Sequence, residues 1–340
     1  MESVLTKDIK QFTTSFPFRQ KIHGSYVLVT GATGLIGSTL IRCLLAINED
    51  IHIIAPIRDK EKLQRILGDT LDAIISIECD LETFNYSVIP SIDYIFHCAA
   101  PTSSSFFVNH PVETARSIWQ ITDHLLQYAH SHQIKGMVYL SSLEVYGSGL
   151  NEEMISEEQQ GYWNVTDVRS SYPIAKRAAE NLCHAYAKQY TIPVKIARLT
   201  QTTGAGVDIL DNRVINQFAR LAAQQQDIVL HSTGESARPY CYTIDCIMAL
   251  MYILFNGVDG EAYNVANKAT YISAIELAEY IRDHFATNIQ VKILLKENMG
   301  YAPVSKLRLA TDKLETLGWK SQYGLDEILC NLINYFRESE

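Results

Sequence analysis

Residues Tyr26–Thr30 (YVLVT) run directly into Gly31-Ala-Thr-Gly34-Leu-Ile-Gly37, and no other feature narrows the possible folds as far. A β-branched run without polar alternation is the pattern of a strand covered on both faces, as in a parallel sheet. Glycines at this spacing allow a tight turn, close approach of the backbone to a pyrophosphate, and tight packing of the following helix on the strand. The N-terminus of that helix then faces the anion. A glycine string alone is weak evidence, because turns collect glycine for steric reasons. Here the strand before it and the helical pattern after it, Leu35–Ile47, supply the required context. Gly31, Thr33, Gly34, Leu35, Ile36 and Gly37 are therefore candidate dinucleotide contacts.

Strands and helices alternate from that point. Ile51–Ile57, Ile74–Glu78, Tyr94–Ala99, Gly136–Ser141 and Pro193–Thr200 read as further strands, with helical periodicity between them, as over Thr114–His130. Such alternation predicts an α/β fold with a doubly wound parallel sheet. The rhythm changes after Thr200, with a loop (QTTGAGVD), a helix from Arg213 to Gln226, a short strand at Ile228–His231, and RPYCY leading into another helix. The run Glu261–Ala266 (EAYNVA) reads as a strand returning to the main sheet. The expected organisation is an N-terminal extension (1–24), a dinucleotide-binding domain (25–200, with 240–268 returning to it), and a smaller lobe (201–239 and 269–340).

Composition removes several function classes. Lys plus Arg number 29 against 38 Asp plus Glu, a net charge of -9, so no global field attracts nucleic acid. The apolar run Asp245–Phe255 is well short of the ~20 residues a bilayer span needs. The N-terminus, MESVLTKDIKQFTTSF, lacks the apolar stretch of a secretory signal, and a cytoplasmic location is expected. Seven cysteines without a C-x-x-C pair suggest neither a disulfide framework nor a metal site, and buried reduced thiols are expected.

The second strand ends Ala55-Pro56-Ile57-Arg58, with no carboxylate where a ribose 2'-hydroxyl ligand often stands ~20 residues past the glycines. Arg58 is either a contact for a 2'-phosphate or one more solvated charge, so NAD and NADP both remain open. Asp80, followed by Leu81 after the third strand, is placed for an adenine amino group, and Ala99 and Ala100 leave room for a cofactor after the fourth. Tyr172-Pro-Ile-Ala-Lys176 puts a phenol and an ammonium on one helical face, with Ser141-Ser142 ending the fifth strand. A nearby cation stabilises phenolate and is expected to lower the Tyr172 pKa toward a usable base, while the Ser142 hydroxyl orients a substrate alcohol.

As a set, VTGATGLIG, CDLE, HCAA, YLSSLEVYG, SYPIAKRAAE, RPYCYTID, EAYNVAN and DKLETLGW resemble the extended short-chain dehydrogenase/reductases that modify nucleotide sugars. The resemblance covers nearly the whole chain. It implies a Rossmann-type sheet with retained NAD, Tyr172 and Lys176 as the catalytic pair, and a C-terminal lobe that holds a nucleoside diphosphate sugar. It also implies a homodimer built on the helices near Thr114–His130 and from Tyr172. Family chemistry begins with oxidation of the sugar C4 hydroxyl. Dehydratases of the family then use an Asp-Glu pair after the hydroxyl residue, whereas this chain has Ser142-Leu143-Glu144, and leucine cannot protonate a leaving hydroxyl. Gly161-Tyr-Trp-Asn-Val, Arg169-Ser-Ser-Tyr172 and Asp211-Asn-Arg213-Val look like the corresponding stretches of UDP-glucuronate decarboxylases, whose pattern also keeps the residue matched by Glu144.

By the same resemblance Arg213 and Arg238 are expected on the substrate's diphosphate or carboxylate, since a guanidinium fork matches such oxyanions. Gln201 stands where many relatives carry a diphosphate-binding Asn. The leading expectation is a UDP-glucuronate decarboxylase-like enzyme, with a 4-epimerase close behind. A reductase that releases NADP each turnover and a catalytically silent dinucleotide-binding protein are the alternatives.

Overall fold

In this computed structural model, which describes residues 2–150, 154–295 and 304–339, the hydrophobic runs form one seven-stranded sheet. Its strands are Tyr26–Thr30 (β1), His52–Ile57 (β2), Ile75–Glu78 (β3), Tyr94–His97 (β4), Gly136–Ser142 (β5), Val194–Leu199 (β6) and Ala262–Val265 (β7). They are all parallel, in the order β7-β6-β5-β4-β1-β2-β3. The order reverses between β1 and β4, which opens a crevice at the carboxyl edge of the sheet, where ligands bind in folds of this type. Alternation along each strand sends side chains to two helical layers. Val27, Val29, Val138 and Leu140 pack with Leu40, Ile41 and Ile247 on one face. Leu28, Met137 and Tyr139 pack with Leu125 and Ala179 on the other.

The second layer consists mainly of the helices Pro111–His132 and Ser171–Tyr190, which lie against each other. The first is longer than the 114–130 expected. Proline at its start needs no N–H partner, so the helix begins at Pro111, and it ends on Gln133 in the left-handed region. β4 stops at His97, two residues before its expected end. Beyond Thr200 a small sheet places Ala237–Tyr242 between Gln201–Thr203 and Asn267–Ser273. The helix Ala274–Phe285 follows, started by a capping box in which Ser273 and Glu276 satisfy each other's backbone N–H groups.

The first residues are not a loose extension. The helix Val4–Ser15 packs on Leu35–Ala46, Thr243–Asn256 and the C-terminal helix Leu325–Glu338 with Phe12 wholly buried, and Ile22 of the short helix Arg19–Ile22 is wholly buried as well. Its Asp8 is buried too and accepts the Tyr242 hydroxyl at 2.6 Å. Of the cysteines, Cys43, Cys183, Cys241 and Cys246 are buried, Cys79 and Cys98 are half-buried, and Cys330 is exposed on the C-terminal helix, contrary to the expectation of uniform burial. Among the described residues no helix is long and apolar enough to cross a membrane, and no group of His, Cys, Asp and Glu could hold a metal ion.

Candidate active site

The glycine turn is built to exclude side chains. Gly31 has φ +71°, and a Cβ on it would lie 2.8 Å from the Ala99 nitrogen; a Cβ on Gly37 would lie 2.3 Å from the Gly31 carbonyl oxygen. The end of β1 thus abuts the end of β4, and the helix Leu35–Ala46 starts directly beneath. Thr30 ties the two strands together. Its hydroxyl contacts His97 Nδ1 at 2.9 Å and accepts from the Ala99 N–H, while His97 Nε2 meets Thr122 at 3.2 Å. Burial, and then the charge of Lys176, push the His97 pKa down to about 3, so this ring is a neutral strut. Leu81 is buried beside this crevice's third strand, whereas Arg58 and Asp80 are exposed at the ends of β2 and β3, on the same carboxyl edge. One Asp80 oxygen accepts the Glu82 N–H in its own turn.

Tyr172 and Lys176 project from the first turns of Ser171–Tyr190 beside the end of β5. Both are buried, at 8% and 3% exposure. Lys176 Nζ donates to the Leu140 carbonyl at 2.7 Å and lies 4.7 Å from the Tyr139 ring centre and 5.9 Å from that of Tyr172. Ser142, whose hydroxyl accepts the Glu144 N–H at 3.2 Å, lies next to the Tyr172 phenol. The structure thus brings Ser142, Tyr172 and Lys176 together. It does not lower the Tyr172 pKa as expected: burial raises it, the charge of Glu144 adds to the rise, and Ser142 and Arg169 oppose it. The physical reason is Tyr172's own burial, which disfavours the phenolate more than its neighbours favour it; Lys176 is buried too, and its pKa falls to about 8.

Glu144 follows Ser142 in the short turn Leu143–Tyr146. Its carboxylate receives Arg169 Nη2 on both oxygens, at 3.0 and 2.9 Å, and its carbonyl accepts the Trp163 indole N–H at 2.9 Å. Leu143 is turned away into a cluster with Val145, Tyr146, Ile155 and Leu309. Phe107, from the helix Ser104–Asn109, stacks on Tyr172 with ring centres 4.2 Å apart. Sequence reasoning missed Phe107, the Thr30–His97 strut and the Arg169–Glu144 pair. Only the last had a usable signal, a basic residue one helical turn before the tyrosine.

Gln201 begins its strand two residues past Leu199, which pairs with Ser142, and its side-chain oxygen is buried without a hydrogen-bond partner among the described residues. It lies opposite Tyr240 on the strand that carries Arg238. Arg238 is half-buried and makes no ion pair among the described residues. Arg213 is already engaged, with Asp211 at 2.9 Å and the Thr202 carbonyl at 3.1 Å.

A hydroxyl, a phenol and an ammonium gathered near a glycine turn, at the switch point of a parallel sheet, are the arrangement of an extended short-chain dehydrogenase/reductase. More narrowly, the chain belongs to the NAD dependent epimerase/dehydratase family, whose model matches residues 27–266. NAD is accordingly its cofactor, and the residues fit it: side chains are excluded at Gly31 and Gly37, and the Leu35 helix presents its N-terminus. Among similar proteins, UDP-glucuronic acid decarboxylase 5 of Arabidopsis thaliana is 28% identical over 92% of this chain and 89% of its own. UDP-glucuronic acid decarboxylase 1 of Xenopus tropicalis is 26% identical over 97% and 77%. In fold, the UDP-glucose 4-epimerase of Thermotoga maritima superposes with a TM-score of 0.80 at 21% identity, over 92% of this chain and 99% of that one.

Proposed function

We propose that this enzyme acts on a nucleoside diphosphate sugar through a transient 4-keto intermediate, and that its substrate is a UDP-glucuronate-like sugar acid that loses its C6 carboxylate as carbon dioxide. The observation that carries this reading is Glu144, a carboxylate two residues past Ser142 held on both oxygens by Arg169, with Leu143 buried where a dehydration acid would have to stand. NAD, when bound, supplies the two-electron acceptor and later donor at C4. The chain's own residues do the rest. Ser142 orients the C4 hydroxyl, and Tyr172 takes its proton and afterwards returns it. Lys176 supports the phenolate with its charge. A ketone at C4 leaves the C6 carboxylate β to a carbonyl, so the C5–C6 bond can break with its electrons passing into the C4 oxygen. C5 then takes up a proton from solvent before the C4 ketone is reduced, and Glu144 is the residue this reading assigns to that part of the sugar. Gln201 and Arg238 would hold the diphosphate, and Gly31, Thr33, Gly34, Leu35, Ile36, Gly37, Asp80, Leu81, Ala99 and Ala100 the cofactor. Arg213, with its fork occupied by Asp211, supports the pocket wall in this reading.

A 4-epimerase needs only Ser142, Tyr172 and Lys176, and the arginine already spanning Glu144 keeps that as the second reading. We propose a cytoplasmic homodimer joined through the outward faces of Pro111–His132 and Ser171–Tyr190, where Val112, Trp119 and Tyr190 are exposed. Light scattering on the eluting protein should give twice the chain mass, and Trp119→Asp should give one chain; a monomeric parent would end the dimer reading. For the reaction, the purified protein is denatured and its small molecules weighed, then the native protein is incubated with UDP-glucuronate and UDP-glucose without added cofactor. Retained NAD with loss of carbon dioxide from UDP-glucuronate is the expected result. Isomerisation without mass change would establish the epimerase instead, and no turnover of either sugar would remove both.

A further inference from the structure

Arg169 lies three residues before Tyr172, in the turn Val168–Ser170 that opens the catalytic helix. Asp167 fixes its backbone by accepting the Arg169 N–H at 2.9 Å. From there the guanidinium reaches two groups at once. Nη2 contacts both oxygens of Glu144, and the guanidinium carbon lies 5.2 Å from the Phe107 ring centre. Phe107 in turn stacks on Tyr172 with an interplanar angle of 11°. Nη1 is buried without a hydrogen-bond partner among the described residues. A side chain needed only to fill this space would be better apolar, because a buried donor without a partner costs free energy. Its charge is the property the site uses.

Two anionic groups cannot share a poorly solvated pocket cheaply unless a cation screens them. Glu144 and the phenolate of Tyr172 are such a pair, with Glu144 opposing ionisation of Tyr172 and Arg169 favouring it. Lys176 is engaged elsewhere, on the Leu140 carbonyl and over Tyr139. The other ionisable groups around Tyr172 are Lys176 on its own helix and Tyr139 on β5. We propose that Arg169 is a positioning residue that holds the Glu144 carboxylate in one orientation and shields Tyr172 from its charge, so that both groups serve the same sugar in ionised form. The inference rests on the functional reading above, which assigns Tyr172 the C4 proton and Glu144 the chemistry at C5 and C6.

The test follows C4 oxidation in single turnovers of the NAD-loaded full chain with UDP-glucuronate, read as reduced cofactor, across pH. Arg169→Gln should move the pH of half-maximal rate upward by about one unit or more, since it leaves the Glu144 charge unscreened. Glu144→Gln combined with Arg169→Gln should return it to the parent's position. Arg169→Lys keeps the charge and should keep the midpoint, while losing roughly tenfold in rate because an ammonium cannot reproduce the planar fork. Arg169→Met replaces Arg169→Gln if the latter does not fold. No shift in the single variant, or a shift that persists in the double variant, overturns the proposal. If the parent oxidises neither sugar, the functional reading is what has failed. Tyrosinate absorbance in the NAD-loaded protein, with Tyr172→Phe subtracted, then decides: a shift on Arg169→Gln that the double variant reverses supports the proposal, and any other result overturns it.

Discussion

At the scale of single residues, burial controls the chemistry more than charge does. Tyr172 and Lys176 are almost fully enclosed, so the phenolate and the ammonium are each disfavoured by desolvation, and neighbours have to compensate. The motif Tyr-x-x-x-Lys makes the helical face legible from sequence, but it carries no information about how deeply that face is buried. In the proposed reaction Glu144 is the residue whose removal should separate the steps. Glu144→Gln is expected to slow carbon dioxide release by about 100-fold or more, in the range of lost general catalysis, while C4 oxidation continues. Accumulation of a 4-keto sugar, followed by mass spectrometry, is the check. Unchanged carbon dioxide release would remove Glu144 from the mechanism.

At the scale of elements, the site depends on contacts that admit no extra atoms and on one buried ion pair. Gly37→Ala would press a methyl group against the Gly31 carbonyl. It should cost about 1–3 kcal/mol, as overpacking does, and release the retained NAD. Thermal unfolding and the bound nucleotide content measure both effects. Arg198 on β6 binds Glu180, two turns after Tyr172 on the helix Ser171–Tyr190, with Nη2 at 2.7 Å, and its Nη1 donates to Tyr146 and to the Glu157 carbonyl. Both partners are more than nine-tenths buried. Arg198→Ala leaves a buried carboxylate unpaired and should destabilise the protein by about 3–5 kcal/mol, measured by denaturant unfolding. Sequence pattern locates β6 and the helix separately, since each has its own periodicity; their pairing through Arg198 and Glu180 depends on the register in which helix and sheet pack.

At the scale of the whole molecule, the first helix is part of the core, packed on Leu35–Ala46, Thr243–Asn256 and the C-terminal helix. Asp8 carries its carboxyl into that core against Tyr242, and burial raises its pKa to about 7, with the Tyr242 hydrogen bond opposing. The folded state therefore holds the Asp8 proton more tightly than the unfolded chain does. The associated stability is complete below the ordinary carboxylate range and is lost as pH rises through about 7. Asp8→Asn keeps an acceptor for Tyr242 without an ionisable group. Between pH 5 and pH 8 its stability relative to the parent should rise by on the order of 2–3 kcal/mol. A constant difference across that range would show that Asp8 does not titrate with folding.

By itself the sequence determined the parallel sheet, the glycine turn and the shared helical face of Tyr172 and Lys176, because each depends on local periodicity or on spacing within one turn of helix. The strand runs around Val27, Ile54, Ile95 and Val138 lie in the sheet as read, displaced only at their ends. Tertiary structure alone decided what joins distant segments: the docking of Asp8 beneath Tyr242, the Thr30–His97–Thr122 strut, and the stack of Phe107 on Tyr172. These contacts arise when separate elements pack, and side-chain identity along one chain does not encode the distance between residues brought together in that way.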